Sequence, residues 1–170
     1  HFTDRRQRQM CIRDRTMIDQ KVIDFGTHSR ELLKSLGIHA PNHPTEDLVF
    51  PGDLGRLSDE EVSKHLSYWA SMTAYAHQKV SVLEGALVLA KSDYELEYDL
   101  RLYNKPGNSV SERKIGLGAS RVLRDMKTRI AIIEADLKVL KSILVGYDLK
   151  NSAVSREITR RNNERNLRDG

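Results

Sequence analysis

From Ser58 to Tyr94 the chain carries an apolar series that only one kind of element can satisfy. Val62, Leu66, Trp69, Ala76, Val80, Leu83, Leu87, Ala90 and Tyr94 follow one another at steps of three and four, with Thr73 filling the one gap. Steps alternating between three and four place side chains on one seam of one α-helix. No proline interrupts the series. Ser58-Asp59-Glu60-Glu61 opens it with capping-box spacing, in which the serine accepts from an early helical N–H and Glu61 reaches back. The spacing predicts one helix to about Asn104, some 45 residues and roughly 65 Å at the helical rise. Gly85 costs such a helix about 1 kcal/mol against alanine, a cost that close packing would offset.

Asn104-Lys105-Pro106-Gly107-Asn108 is the clearest turn in the chain. Ser109-Val110-Ser111-Glu112 repeats the capping-box spacing, and a second seam follows: Ile115, Ala119, Val122, Met126, Ile130, Ile133, Leu137, Leu140, Leu144 and Tyr147. Two long single-seamed helices joined by a tight turn should fold back on each other. The expected fold is therefore all-α: a long antiparallel helical hairpin, coiled-coil-like, over residues 58–168. Upstream, residues 17–57 read as a short helix and a loop. Ser29 is a candidate N-cap before Glu31-Leu32-Leu33 and Gly37 a stop, and Pro41, Pro44, Pro51, Gly52 and Gly55 make residues 38–57 a Pro/Gly-rich linker. Leu123, Ile132, Val139 and Ile143 widen the second seam beyond what one partner helix can cover. Two coverings satisfy them equally: residues 17–57 of the same chain, or another copy in a homo-oligomer.

Residues 1–16 stand apart. The run Gln9-Met10-Cys11-Ile12-Arg13-Asp14-Arg15 back-translates readily to CAG ATG TGT ATA AGA GAC AG and resembles the mosaic-end adapter of transposase-based sequencing libraries. It reads as adapter read-through in an assembled, metagenomic sequence, with Met17 as the natural start; a natural basic arm is the alternative. Such a segment is set aside in fold reasoning. It holds five arginines and two aspartates, so removing it lowers the formal net charge from +4 to +1. The general basicity that would suggest nucleic acid goes with it, as does the only cysteine, Cys11, and with that any thiol chemistry. No apolar run approaches the ~18 residues of a membrane span. Asp19, Lys21 and Asp24 interrupt any signal-peptide core after Met17, so the expected location is cytoplasmic.

Catalytic and metal chemistry find little support. His39 and His43 are four apart, but Pro41 and Pro44 deny them a shared helical face; His65 and His77 lie more than three turns apart. Asp93, Glu95, Glu97 and Asp99 alternate at a spacing of two, which spreads them around a helix. Gly116-Leu117-Gly118 lacks the strand that a phosphate-binding glycine loop needs. The chain is expected not to be an enzyme and to need no cofactor or metal.

Local charge says more. Arg156 and Arg160 stack on one helical face, Arg161 and Arg165 form a second pair, and Arg168 extends it. Such rows can track phosphates, pair with acids of a neighbouring subunit, or remain solvated. Tyr98, Arg101, Tyr103 and Lys105 sit together before the turn, where exposed tyrosines beside cations could stack bases. Packing and interface use of tyrosine is the commoner alternative.

Leu57-Ser58-Asp59-Glu60-Glu61, the stretch from Trp69 to Tyr75, Val110-Ser111-Glu112-Arg113-Lys114 and the closing Val154-Ser155-Arg156-Glu157-Ile158-Thr159-Arg160-Arg161 resemble small helical proteins of tailed bacteriophages, over roughly residues 56–162. In layout (long helix, turn, a seam like Ile130 to Leu144, basic tail) the chain is also similar to UvsY-type phage recombination mediators. That likeness implies an oligomeric single-stranded-DNA-binding accessory of phage DNA metabolism, cytoplasmic in its bacterial host, that helps load a recombinase. Arg156, Arg160, Arg161 and Arg165 would contact phosphates, and Tyr98 and Tyr103 would stack bases. The alternative is an interaction protein without nucleic acid: an assembly factor, or one that binds a host protein. A third is an oligomer that traps a small signalling nucleotide.

Overall fold

The computed structural model of the protein describes residues 24–107 and 109–169; the adapter-like leader, Met17 and Asn108 lie outside them. Among the described residues the chain is all-α. Helix α1 (24–35) is followed by a 3-10 turn, Leu54–Arg56, then α2 (Asp59–Asn104), α3 (Val110–Leu117) and α4 (Arg121–Asp169), with no strand. The 46-residue α2 starts at its capping box: the Ser58 hydroxyl accepts from the Glu61 N–H at 3.3 Å, and Glu61 accepts from the Ser58 N–H at 2.7 Å. Gly37 closes α1 at φ 71°, with the Ile38 N–H donating to Leu33 O at 2.9 Å and its own N–H to Lys34 O at 3.1 Å. That is the paired bonding of a Schellman stop, for which glycine alone has no steric cost.

Two expectations about boundaries are corrected. Ser29 lies inside α1 rather than capping it. The contact that anchors this helix is made upstream, at Phe25, and the helix extends to present it. The second long helix is also not continuous from Val110. Gly118 ends α3, its N–H donating to Ile115 O at 3.1 Å, and Ser120 starts α4, its carbonyl accepting from the Arg124 N–H at 3.2 Å. Gly116 and Gly118 lower helix propensity here, and Ser120 offers a competing N-cap. The break lets Leu117 and Leu123 both reach the interior, while Ile115 is left 80% exposed.

The described residues form two compact units, one of residues 24–38 with 81–138, the other of residues 39–80 with 139–169. Of the three crossings, 80/81 and 138/139 fall inside α2 and α4, and 38/39 falls in the linker. In the first unit, α2 and α4 run antiparallel around Ala86, Ile133 and Leu137. Lys91 pairs with Glu134 at 2.8 Å, and Lys127 sits 5.5 Å over the Tyr94 ring. Helix α1 packs here: the Phe25 ring occupies the space that a Cβ on Gly85 would fill.

In the second unit the same antiparallel order brings Val62, Trp69 and Met72 of α2 against Val154 of α4. Val62 and Val154 are almost fully buried. Trp69 is boxed by Phe50 at 5.9 Å, Tyr68 at 4.8 Å and Tyr147 at 5.8 Å, with the Lys150 ammonium 4.2 Å from its ring. Phe50, Leu54 and Leu57 of the linker segment pack on this cluster. Residues of the 17–57 segment thus cover part of the helices in each unit. They do not cover Ile132, Val139 and Ile143, which remain 39%, 61% and 43% exposed.

The Phe25–Gly85 contact sets two energies of opposite sign against each other. Gly85→Ala gains helix propensity of about 1 kcal/mol but evicts the Phe25 ring. In the native background the substitution is expected to lower the denaturation midpoint; in a Phe25→Ala background it should raise stability by about 1 kcal/mol. A double-mutant cycle by urea unfolding measures both arms.

Candidate interaction surfaces and the C-terminal arginine cluster

The four arginines expected to meet phosphate occupy different environments. Arg161 is the most enclosed, its side chain 15% exposed. Its guanidinium donates to Asp59 Oδ1 at 2.7 Å, Glu157 Oε1 at 2.7 Å, Leu54 O at 2.9 Å and Leu57 O at 2.8 Å. One planar fork therefore joins α4 to the 3-10 turn and to the first residue of α2. Arg165 reaches the other oxygen of Asp59. Arg160 is held by Glu157 at 2.7 Å and by Glu164. Arg156 is exposed and has no ion-pair partner among the described residues.

These contacts follow from helix geometry. On α4, Val154, Ile158, Arg161 and Arg165 fall on the inward side, whereas Arg156, Arg160 and Leu167 fall on the outer side. The long Arg161 stem can lie along apolar surface while its head reaches the carbonyls at the start of α2. Leu54 opens a single turn of 3-10 helix and Leu57 caps it; the Leu54 carbonyl accepts from both the Leu57 N–H and Arg161. Hydrogen bonds from Arg160, then Arg161, hold the Glu157 carboxyl down to about 2, from an ordinary value of 4.5. The same pairing raises Arg160.

The two tyrosines also part company. Tyr98 is half-buried, its ring 6.1 Å from Tyr94. Tyr103 is 83% exposed. Near it, in the first unit, a cleft of about 700 Å³ opens between the end of α2 and the start of α4, lined by Leu100, Arg101, Lys105, Gly116 and Arg121 among others. Arg101 is paired with Glu97, and the Lys105 stem lies across Gly116, where a Cβ would come within 2.7 Å of its Cε.

Sequence reasoning passed over a second apolar row on α2. Leu89, Leu96, Leu100 and Tyr103 follow steps of seven, four and three, offset from the buried seam, and are 50%, 67%, 57% and 83% exposed. Their heptad spacing was the available signal; the alternating acids around them masked it. On α4 of the second unit, Val145 and Leu149 lie one turn apart and are 58% and 64% exposed. Neighbouring large apolar side chains left in water on a helical face mark an interaction surface more often than scattered single ones do. His65, which lies more than three turns from His77, is buried, and its Nδ1 has no hydrogen-bond partner. Among the described residues no group of three or more His, Cys, Asp or Glu could hold a metal ion, and no helix is long and apolar enough to cross a membrane.

No protein-family model matches the chain, and neither a curated protein nor a solved structure does.

Two predictions test the arginine cluster. Arg161→Ala removes charged hydrogen bonds to three elements and should cost about 2–3 kcal/mol. Arg161→Lys should recover only part of this, because an ammonium cannot reproduce the planar fork. Arg156→Ala should stay within about 0.5 kcal/mol of the native chain. Chemical denaturation followed by Trp69 emission measures all three. The second concerns pH. The carboxyl of Glu157 is depressed on folding, so its contribution is present above about 4.5 and is lost as pH falls towards about 2. The acid limb of the thermal midpoint should flatten across that window in Glu157→Gln, which cannot titrate.

Proposed function

We propose that this chain works by protein–protein association, as an oligomeric helical interaction protein. The observation that carries the reading is the pair of uncovered apolar rows, Leu96, Leu100 and Tyr103 in one unit and Val145 and Leu149 in the other. A helix that buries one seam and still presents a second row of large apolar side chains has a face suited to a partner. The engagement of Arg160, Arg161 and Arg165 with acids and carbonyls of their own chain supports the same reading, since it leaves fewer cations for phosphate. The resemblance to tailed-phage helical proteins is compatible with an assembly factor or a protein that binds a host component.

A nucleic-acid reading, that of a phage recombination mediator, keeps two supports: Arg156, exposed and without an ion pair, and Tyr103, exposed beside the basic cleft. One pair of measurements separates the two. Light scattering across a concentration series should give a mass above one protomer that falls in Val145→Glu/Leu149→Glu, while a labelled single-stranded oligonucleotide shows no polarisation change at low salt with the chain starting at Met17. A protomer mass at every concentration sinks the association reading. Salt-sensitive oligonucleotide binding whose slope drops by about 0.7 in Arg156→Ala would favour the mediator instead.

A further inference from the structure

The two exposed rows differ in the charges that border them, and the difference selects the occupant. On α2 of the first unit, Leu89, Leu96, Leu100 and Tyr103 are edged by acids on both sides, Asp93 and Glu97 on one and Glu95 and Asp99 on the other. Glu95 and Asp99 are exposed and have no ion-pair partner among the described residues. Two copies of this face laid on each other would bring like charges together. On α4 of the second unit, Val145 and Leu149 lie in a row with Lys141 and Arg156, at steps of four, four and seven, and Asp148 is the acid on its edge. That face is apolar in its middle and cationic at its ends. Both rows run for about 21–23 Å at the helical rise.

We infer that the acidic leucine face of α2 in one copy docks on the basic apolar face of α4 in a second copy. The inference rests on the association reading above and specifies its partner: the chain itself, through two different surfaces. Opposite charge fixes which face meets which and penalises like-with-like pairing. A contact between two different patches is heterologous. Each bound copy still offers one free face of each kind, so the assembly either closes into a ring or extends.

Complementation tests this with full-length chains. Glu95→Lys/Asp99→Lys reverses the α2 face and leaves the α4 face intact; Lys141→Glu/Arg156→Glu does the reverse. All four side chains except the partnered Lys141 are free surface groups, and an Arg156→Glu chain serves as the milder version of the second variant. Helical dichroism should match the native chain in each. Each variant alone is expected to lose self-association by about tenfold or more. Mixed together, they should regain assembly, because the untouched faces still fit and the two reversed faces are again of opposite charge. Two results overturn the inference while leaving the association reading standing: either variant alone keeps the native mass, or the mixture fails to regain assembly. A native chain that stays a single protomer at all concentrations overturns both, whatever oligonucleotide binding it then shows.

Discussion

A helix can bury only one stripe against one neighbour, and in each unit α2 and α4 are each other's main covering. That constraint explains where the rest of the sequence puts its effort. Phe25 lies against Gly85 in one unit, and Phe50, Leu54 and Leu57 lie against the Trp69 cluster in the other. These short segments act as a third layer for helices that two-body packing leaves partly bare. What they leave uncovered is then available to other chains.

The arginine clamp shows the same economy at the helix start. The last turns of α4, beyond Ile158, contribute little apolar area of their own. Arg161 ties them down through the carbonyls of Leu54 and Leu57 and through Asp59, an acid that also favours the positive end of the α2 dipole. Asp59 serves both Arg161 and Arg165, so the two arginines are positioned by one carboxylate.

Much of the fold was legible in the sequence, because heptad spacing and capping boxes are local signals. Val62, Trp69, Ala76 and Val80 on the first seam and Ile133, Leu137 and Leu144 on the second are buried as their spacing required. His65, Met72 and Ala86 are buried as well, which makes the seam wider than a strict heptad row. The break at Gly118 was written in the sequence as two glycines and a serine, but a continuous apolar pattern outweighed them. The arginines were legible as helical rows and no further. Whether a cation faces water or an acid 102 residues away depends on tertiary register, and Asp59 offered only the look of a capping residue. Tyr98 and Tyr103, five positions apart on one helix, illustrate the same limit: one is half-buried beside Tyr94 and the other almost wholly in water.

The chain contains a single tryptophan, and the fold places it in the centre of one unit with an ammonium and three aromatic rings around it. Its emission is therefore an optical label for that unit alone, while the other unit, which holds Tyr94, Tyr98 and Tyr103, is dark at the same wavelength. Far-ultraviolet dichroism sums over both. A gap between the two signals during melting would mean that the halves open at different temperatures even though α2 and α4 run unbroken through each. Coincident signals would mean that the shared helices transmit unfolding from end to end.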